Sequence, residues 1–437
     1  MDDFTLTLIF LGALFLLLSS GVWIGLALLG VGLTGMLMFT SRPAGDALFT
    51  TVWSASATWT LTALPLFIWM GEILFRTQLS TQLFRGLSPW MSPLPGRLLH
   101  TNIVGCTVFA AVSGSSAATL TTVGKMSIPE LRRRGYPENM IVGTLAGAST
   151  LGLMIPPSLA LIVYGVIVNE SIAKLFIAGI LPGLVLAALF MGYIAFWALL
   201  RPHRLPDSEP SKSFSEMLWE ARYLIPVLIL ILTVMGSMYF GFATATEAAT
   251  IGVAGALTLA AAEGSLTRKN VFDSLMGAAR TSCMIALILA GSAYLALAMG
   301  FTGLPRTLAE YIGTLGLSPI ALIAALTVFY IFLGCFLDGI STMVLTMAVV
   351  EPMIRAAGID IIWFGIFVVI VIEMSQITPP VGFNLFVLQG MTHHQMGYIA
   401  ISALPSFCLM ILLIVILVAV PELATYLPSQ MATRSGG

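Results

Sequence analysis

Ile155-Pro156-Pro157-Ser158 and Thr378-Pro379-Pro380-Val381 are the two stretches that decide the fold, because each pair of prolines lies in the middle of a long apolar run. Proline has no amide hydrogen, so each pair leaves carbonyls one turn earlier without helical partners, near 152–154 and 375–377. A simple kink would explain either stretch alone. Because adding 223 to the residue numbers of the first pair gives those of the second, we predict unwound backbone that lines a site in two related halves.

This constant shift, the repeat offset, relates further positions of the chain. Four of the five prolines between 126 and 184 have a partner at this offset, and the pairs are Pro129 and Pro352, Pro156 and Pro379, Pro157 and Pro380, and Pro182 and Pro405. Only 22 of the 437 residues are prolines, so chance alone would give less than one match. The sequence therefore predicts an internal repeat of about 62–184 with 285–407.

Composition places the chain in a lipid bilayer. Hydrophobic residues make up 58% of the chain and charged residues 9%, and the mean hydropathy is +1.00. A soluble domain carries about 25% charged residues, so this chain has too few to cover its outside. The net charge of -1 and the lack of a basic tail argue against nucleic-acid binding. Since the sequence has no P-loop, no HExxH motif and no GxSxG motif with a plausible triad, we expect no enzymatic activity, catalytic residue or cofactor.

Apolar runs of about 20 residues predict the spanning helices. We place ten of them, at 4–18, 22–40, 50–75, 138–168, 171–200, 223–241, 243–262, 281–299, 361–390 and 395–420. Two further runs, at about 98–124 and 318–348, are interrupted by Ser113-Gly114-Ser115-Ser116 and by Asp338-Gly339. An interrupted run that returns to its own side is a re-entrant hairpin. The predicted fold class is therefore an all-α polytopic membrane protein with about ten transmembrane helices, two re-entrant helical hairpins and two broken helices.

The lysines and arginines orient these segments. Fourteen of the 19 fall in predicted cytoplasmic segments when both termini are placed outside the cytoplasm. The two halves are then inserted in opposite orientations, and the first hairpin opens from the cytoplasm and the second from outside. Inverted repeats with broken helices are the architecture of secondary transporters. We divide the chain into N-terminal scaffold helices (1–49), a first repeat (50–200), a linker with scaffold helices (201–262), a second repeat (263–420) and a C-terminal tail (421–437).

The first interruption, Ser113-Gly114-Ser115-Ser116-Ala117-Ala118-Thr119, offers hydroxyl oxygens and free carbonyls at a tight turn. Such oxygens suit a hard cation, and helix N-termini at the tip suit an anionic group. Close helix packing through small residues is the alternative. Because Ser115 matches Asp338 at the repeat offset, we favour a binding site.

The second interruption, Asp338-Gly339-Ile340-Ser341-Thr342, contains a carboxylate inside an apolar run. A charge there is costly unless it meets a cation or a hydrogen-bond donor. A structural salt bridge is the alternative, but no basic residue lies nearby in the sequence. We therefore expect an ion or a donor at Asp338 and the tighter ion site in the second half. Thr378 and Asn384, beside the second pair of prolines, offer oxygen ligands or hydrogen bonds to a substrate.

Other polar residues leave their roles open. Glu72, Glu247 and Glu373 lie within or near predicted spans, where they are either proton carriers or buried, paired groups. His393-His394 is expected to be solvated at a cytoplasmic helix end, and Arg132-Arg133-Arg134 is expected to anchor the topology.

These residues resemble the large membrane subunit, of the DctM type, of tripartite ATP-independent periplasmic (TRAP) transporters. The resemblance rests on motifs that follow the family's order through nearly the whole chain. They are Ser113-Gly114-Ser115-Ser116-Ala117, Gly135-Tyr136-Pro137, Ile155-Pro156-Pro157-Ser158, Tyr164-Gly165, Ala178-Gly179-Ile180-Leu181-Pro182-Gly183, Ala245-Thr246-Glu247-Ala248-Ala249, Asp338-Gly339 and Thr378-Pro379-Pro380-Val381-Gly382. At 245–246 the family more often has Pro-Thr, a departure that affects no binding residue.

The resemblance implies sodium-coupled uptake of an organic anion, often a carboxylate or an acidic sugar, by an elevator movement of a domain that contains both hairpins. It also implies two partners, a small four-helix membrane subunit and a periplasmic substrate-binding protein, and a place in the bacterial inner membrane. The family's binding sites lie at the hairpin tips and the broken helices. At the matching positions we assign sodium to Ser113, Gly114, Ser115, Pro156, Asp338, Gly339, Thr342, Thr378 and Gly382, and the substrate to Ser116, Thr119, Ser158 and Asn384.

A self-sufficient ion-coupled anion transporter or a cation/proton antiporter of the same architecture is the main alternative. An intramembrane hydrolase would need a catalytic Ser/His or paired aspartates at membrane depth, and only Asp338 is predicted to lie so deep. A channel is less consistent with the midplane proline breaks than alternating access is.

Overall fold

The computed structural model describes residues 3–206, 213–303, 307 and 318–434. Within these residues all regular structure is helical, which confirms the predicted all-α class. The helices form two related repeats, with additional helices before the first repeat and between the two.

Five helices precede the first hairpin. They are α1 (Asp3–Ser19), α2 (Ile24–Phe39), α3 (Ala44–Ser56), α4 (Ala63–Phe75) and α5 (Leu79–Met91). The predicted span at 50–75 is bent rather than continuous, because α3 and α4 meet at an angle of 54°. The bend contains Thr58, Thr60 and Thr62, and threonine disfavours a helix interior because its β-branched side chain loses rotamer freedom there.

The first repeat contains a hairpin and a broken helix. Helices α6 (His100–Ser113) and α7 (Ser116–Arg133) pack against each other and form hairpin 1. Broken helix 1 consists of α8 (Glu138–Ser149), α9 (Leu151–Met154) and α10 (Leu159–Val168), and its interruption at 155–158 lies where the two prolines predict it. The long helix α11 (Ile172–Leu200) completes the repeat.

Four helices follow the linker. They are α12 (Phe214–Ala221), α13 (Ile225–Tyr239), α14 (Ala245–Ala262) and α15 (Arg268–Thr302). Helix α15 packs along α2, α3 and α4, and α14 packs against α4 and α13, so these six helices form one scaffold. A Cβ atom on Gly291 would lie only 2.5 Å from the carbonyl oxygen of Gly25, which shows that the backbones of α15 and α2 are in contact.

The second repeat has the same order of elements as the first. Helices α16 (Pro319–Gly334) and α17 (Gly339–Ala356) form hairpin 2, and α18 (Ile361–Gln376) and α19 (Phe383–Thr392) form broken helix 2. Helix α20 (Met396–Ala419) matches α11. The segment predicted as a C-terminal tail instead contains a helix, α21 (Glu422–Arg434), which packs against α11 and α18 and buries Ala424.

The repeat offset holds in the structure. Helices α7 and α17 both have 18 residues, and they begin at the matching positions Ser116 and Gly339. Each is followed by a glycine in the left-handed region, Gly135 with φ of 80° and Gly358 with φ of 70°. The predicted repeat is therefore confirmed down to the turns that end its hairpins.

Helix α18 lies at the centre of the protein. It packs against both helices of hairpin 2, against α9 and α10 of broken helix 1, and against α11, α19 and α20. Every residue from 363 to 376 is buried. Residues from both repeats therefore enclose α18, and polar groups on it are shielded from solvent.

Six helical segments of the described residues are long and apolar enough to cross a membrane, or up to eight if each of two bent pairs counts as one span. Ten were predicted. The remaining predicted spans contain α1, α2 and α18, helices of 17, 16 and 16 residues, shorter than the roughly 20 that a bilayer requires. They are short because Ser19-Ser20-Gly21 separates α1 from α2, and because the proline pair ends α18.

Candidate functional site at the hairpin tips

The tip of hairpin 1 is a turn of small residues between two helices. Gly114 ends α6 in the left-handed region, with φ of 60°, where a residue with a side chain would be strained. Ser115 then caps α7, because its hydroxyl oxygen accepts a hydrogen bond from the amide of Ala118. Ser113 and Thr119 share a hydrogen bond of 2.8 Å between their hydroxyl groups. With Ser116, the first residue of α7, five of the predicted site residues therefore lie together at this tip.

Hairpin 1 docks on the interruption of its own broken helix. The amide of Leu159 donates to the carbonyl oxygen of Gly114 over 3.3 Å. A Cβ on Gly114 would lie 2.9 Å from the carbonyl oxygen of Pro157, so only glycine allows this approach. The structure thus places Pro156 and Ser158 beside the tip.

The side chain of Ser158 replaces one of the helical hydrogen bonds that the prolines remove. Its hydroxyl donates to the carbonyl oxygen of Leu153, whose helical partner would have been the missing amide of Pro157. It also accepts from the amide of Leu161 and so caps α10. The carbonyl of Gly152 also lacks a helical hydrogen bond, since its partner would be the missing amide hydrogen of Pro156. Ser158 is therefore engaged with the backbone, and its predicted role in binding the substrate remains a prediction.

The tip of hairpin 2 repeats the capping chemistry of hairpin 1 with a carboxylate. Asp338 caps α17, and its side-chain oxygen accepts from the amide of Ser341 over 3.1 Å. Thr342 donates its hydroxyl to the carbonyl oxygen of Asp338 over 2.9 Å. The amide of Ser341 is a donor of the kind expected at Asp338. The side chain is exposed, however, rather than enclosed as the apolar run predicts, because its position at the turn leaves it outside the packed helices.

Hairpin 2 also docks on the interruption of its own broken helix. Gly382, with φ of 46°, donates its amide to the carbonyl oxygen of Cys335 over 3.4 Å. Thr378 donates its hydroxyl to the carbonyl oxygen of Met374 over 2.7 Å. Gly339 lies against α18, since a Cβ on it would overlap the side chain of Ile372. The five predicted sodium residues of the second half, Asp338, Gly339, Thr342, Thr378 and Gly382, thus surround one tip and one break.

The two breaks differ in their exposure. Residues 151–163 of broken helix 1 are all buried, whereas Pro379 and Pro380 are exposed and Thr378 is half-buried. Beside this second break lies an open cavity of about 390 Å³. Its lining is almost entirely apolar and consists of Val328, Ile331, Phe332, Cys335, Phe336, Thr378, Pro379 and Pro380. The first tip is therefore enclosed and the second is accessible.

Asn384 lies in the first turn of α19, two residues after Gly382. It is fully buried, and its side-chain amide donates to the hydroxyl of Ser149 over 3.2 Å, which joins the two broken helices. Its carbonyl oxygen makes no hydrogen bond to a described residue. The amide thus has a structural partner from the other repeat, 235 residues away, which no local pattern in the sequence indicates.

The oxygen atoms at both tips suit a hard monovalent cation. Hairpin 1 presents the hydroxyls of Ser113 and Thr119, and the carbonyl of Gly152 beside it has lost its helical partner to Pro156. Hairpin 2 presents the carboxylate of Asp338, and the buried hydroxyl of Ser341 has no hydrogen-bond partner among the described residues. Hard cations prefer such oxygen ligands. The donor sets are compatible with sodium at each tip.

The three glutamates left open by the sequence have different environments. Glu72 forms an ion pair with Arg76 in the scaffold, and Glu247 caps α14 through a capping box with Thr244. Both therefore have structural partners. Glu373 differs, because it is fully buried in α18 and neither carboxylate oxygen makes a well-formed hydrogen bond to a described residue.

Charged groups join the base of hairpin 1 to the two broken helices. Arg132 at the end of hairpin 1 donates from Nε to Glu138 of α8 over 3.0 Å. The same carboxylate lies 2.9 Å from Nε2 of His394, which follows broken helix 2. His394 is therefore only partly solvated, contrary to the expectation for this pair of histidines, and it links hairpin 1 to both broken helices.

Among the described residues, no group of three or more histidine, cysteine or acidic side chains is placed to hold a metal ion. The hydrolase alternative rests on the expectation that Asp338 lies deep in the protein. In the structure Asp338 is exposed, and Glu373 is the fully buried carboxyl group.

Comparisons with known proteins agree with this architecture. Residues 11–423 match the family model for the DctM component of the tripartite ATP-independent periplasmic transporter. The chain is 30% identical over 404 residues to the C4-dicarboxylate TRAP transporter large permease protein DctM of Pseudomonas aeruginosa, with 92% of this chain and 94% of that protein covered. It is 27% identical over 416 residues to the sialic acid TRAP transporter large permease protein SiaM of Vibrio cholerae, with 94% and 96% covered.

A solved structure extends the similarity of fold. The crystal structure of the YdaH transporter of Alcanivorax borkumensis is similar with a TM-score of 0.65 at 13% identity, and 94% of this chain and 97% of that chain are covered. The named relatives are transporter permeases and not enzymes. The chain therefore belongs to the DctM family, the large permease components of TRAP transporters, and is a multi-pass membrane transport protein.

Proposed function

We propose that this chain is the transport subunit of a sodium-coupled TRAP system that imports an organic anion by an elevator movement. The observation that carries the proposal is the docking of each hairpin tip on the break of its own broken helix. This arrangement occurs twice. Leu159 donates its amide to Gly114, and Gly382, which matches Leu159 at the repeat offset, donates its amide to Cys335, two residues before the position that matches Gly114. Secondary transporters bind substrate and ions at such paired interruptions.

Sodium coupling is supported by the chemistry of the tips. Each tip combines hydroxyl oxygens with carbonyls from the neighbouring break, and hairpin 2 adds the charge of Asp338. No motif for nucleotide hydrolysis is present in the sequence, so a gradient is the available source of energy. Sodium would bind at both tips through the residues assigned above, and it would move with the substrate.

An anionic substrate is supported by helix N-termini. Helices α7, α10, α17 and α19 all begin at a tip or a break, and a helix N-terminus favours negative charge. Among the described residues, neither tip turn, 113–119 or 335–342, contains lysine or arginine, so backbone amides and hydroxyls would replace a basic clamp. The relatives are named for C4-dicarboxylate and for sialic acid, which supports an organic acid as the substrate class.

The elevator mechanism is supported by the division into a scaffold and a body that contains both tips. Helices α2–α4 and α13–α15 pack mainly with one another. Hairpin 2 and broken helix 1 pack against α18, and hairpin 1 packs against broken helix 1. In the proposed cycle the body that contains both hairpin tips would slide against the scaffold and carry the site across the membrane. The exposed break of broken helix 2, beside the tip of hairpin 2, would then be the accessible end of the site in this conformation.

The family is tripartite by description, so two further components belong to the system. We propose that they are a small four-helix membrane subunit and a periplasmic substrate-binding protein that delivers the anion. We further propose that the chain lies in the bacterial inner membrane with both termini in the periplasm, because this orientation gives the observed excess of basic residues in cytoplasmic segments.

Reconstitution tests the proposal. The chain and its membrane partner are placed in liposomes, the binding protein is added outside, and uptake of a radiolabelled organic acid is followed. That acid is first identified by thermal-shift screening of the binding protein. We expect uptake only with an inward sodium gradient and with the binding protein present. Uptake that persists when choline replaces sodium would refute the coupling, and uptake by this chain alone would refute the tripartite mechanism.

A further inference from the structure

Glu373 is an ionisable residue in the protein interior with no assigned role. It occupies the last turns of α18, has no solvent exposure, and makes no well-formed hydrogen bond to a described residue. The hydroxyl of Ser116, the first residue of α7 at the tip of hairpin 1, is the side-chain group placed to interact with it. The contact therefore joins the centre of the second repeat to the moving tip of the first.

No charged side chain of the described residues compensates a charge on Glu373. On the elements packed against α18, Tyr164 bonds to the carbonyl of Ile361 at the opposite end of the helix, and Arg355 pairs with Glu351 and bonds to Val168 near that end. Glu373 lies twelve residues after Ile361, which is about 18 Å along the helix axis.

The titratable groups at the tip of hairpin 2 lie nearer to Glu373 but are occupied elsewhere, and Tyr330 of α16 shares a hydrogen bond with Thr346. Asp338 accepts from the amide of Ser341 and is exposed, and Cys335 donates its thiol to the carbonyl oxygen of Ile331. In hairpin 1 the nearest charged side chain along α7 is Lys125, nine residues beyond Ser116, and its ammonium group lies over the ring of Phe75. Glu373 therefore has no counter-charge from any described side chain that packs against it.

An ionised carboxylate in such a place is strongly disfavoured, because its loss of hydration is not offset by a cation or by hydrogen bonds. A bound proton removes the charge and requires no set of ligands. A sodium ion would require several oxygen atoms around it, and Ser116 supplies a single hydroxyl. The environment of Glu373 thus fits a proton better than a metal cation.

The tip of hairpin 1 contributes to the enclosure of Glu373 through Ser116. A Cβ on Gly152 of α9 would lie 2.5 Å from the Cα of Ser116 and 2.7 Å from the carbonyl oxygen of Ser115, so the tip is pressed against broken helix 1. Helix α9 in turn packs on α18. If the tip moves away, water reaches the carboxyl group on the side to which the tip opens.

We propose that Glu373 is a proton-binding site of the transport cycle, which is protonated while hairpin 1 is closed over it and releases its proton to water when the hairpin opens. The carboxylate takes a proton back from water before the tip closes again. Closure of hairpin 1 therefore requires one proton in addition to the sodium ions. This inference rests on the proposed function, since it adds a proton-binding step at hairpin 1 to the proposed sodium-coupled transport cycle.

Glu373→Gln tests this inference, because the amide has the shape of the protonated acid and cannot ionise. Uptake by the complete reconstituted system is measured at saturating sodium across a series of pH values, equal on both sides. In the unmodified protein we expect uptake to fall about tenfold per pH unit on the alkaline side, as for a step that requires one proton. In E373Q we expect uptake to continue with no dependence on pH over the same range.

Glu351→Gln is the matched control, because Glu351 pairs with Arg355 at the far end of hairpin 2 from its tip. It should keep the pH profile of the unmodified protein. A wild-type profile in E373Q would overturn the inference. So would a changed sodium dependence in E373Q, which would make Glu373 a cation ligand instead.

An infrared measurement on the unmodified complex covers the case in which E373Q does not fold. A protonated carboxyl group without strong hydrogen bonds gives its own C=O stretching band, and we expect that band to persist at neutral pH and to exchange slowly in D2O. Its absence would overturn the inference. Because this measurement does not require transport, it is informative even if sodium-driven uptake is not found and the proposed function itself fails.

Discussion

Gly152→Ala is a direct test of how tightly hairpin 1 closes. Gly152 lies in α9 with an ordinary helical backbone, so alanine should favour the local helix by about 1 kcal/mol relative to glycine. The added methyl group, however, would lie 2.5 Å from the Cα of Ser116 and 2.7 Å from its amide nitrogen. These are backbone atoms and cannot rotate away, so the tip itself has to move.

Overpacking of this kind costs about 1–3 kcal/mol. Because the clash is relieved when the tip leaves α9, we expect that cost to fall on the closed state of hairpin 1. It corresponds to a decrease of about 5- to 150-fold in the ratio of closed to open hairpins. Amide hydrogen exchange at 113–119 should therefore become faster by this factor, and sodium-driven uptake should decrease while insertion in the membrane is unchanged.

Gly192→Ala is the matched control. Gly192 lies within α11, and a Cβ there would have no atom within 4 Å. Exchange at 113–119 and uptake should both equal those of the unmodified protein. If G152A also left exchange and uptake unchanged, the close docking of hairpin 1 on α9 would not limit its closure, and the argument would fail.

Three further substitutions separate structural from binding roles. Asp338→Asn keeps a good helix cap but removes the charge, so the sodium concentration for half-maximal uptake should rise at least tenfold, from a loss of about 1.5–3 kcal/mol; an unchanged sodium dependence would contradict an ion site there. Asn384→Ala should lower the free energy of unfolding by about 1 kcal/mol or more, and a double-mutant cycle with Ser149→Ala should show coupling, whereas additive effects would mean that the bond between the broken helices contributes nothing. Glu72→Gln removes the charge that pairs with Arg76 in the scaffold, so the free energy of unfolding should change by at most about 1 kcal/mol and uptake should retain its sodium dependence. Loss of the sodium dependence of uptake would instead assign Glu72 to the transport path.

The repeat and its interruptions follow from the sequence because their causes are local. A proline pair removes helical hydrogen bonds wherever it stands, and Gly114 beside serines permits a turn wherever it stands. Comparing two halves of one chain then reveals such features twice. The repeat offset, found from the prolines, for this reason predicts the first residue of α17 from that of α7.

Burial of the carboxyl groups does not follow from the sequence in the same way. Asp338 and Glu373 both stand in apolar runs, yet Asp338 is exposed and Glu373 is enclosed. The difference arises from packing between the repeats, since Ser116 of the first half reaches Glu373 of the second. The same limit applies to Asn384, whose partner Ser149 belongs to the other broken helix. A single apolar run cannot indicate which of its polar residues another segment will cover.

Under the proposed sodium coupling, the unequal exposure of the two tips bears on which of them would bind sodium more tightly. The sequence predicts the tighter ion site in the second half because that half is the more polar, with Asp338 at the position of Ser115 and Thr378 at the position of Ile155. In the structure the charge of Asp338 is exposed, whereas the neutral oxygens of Ser113 and Thr119 are buried, and electrostatic contacts are stronger in a buried environment. Enclosure strengthens each ion–dipole contact in hairpin 1, and closure of hairpin 2 would do the same for Asp338. Under the proposed mechanism the order of the two affinities would therefore depend on which tip is closed, and a carrier that must release its ions on one side would gain from an order that reverses during the cycle.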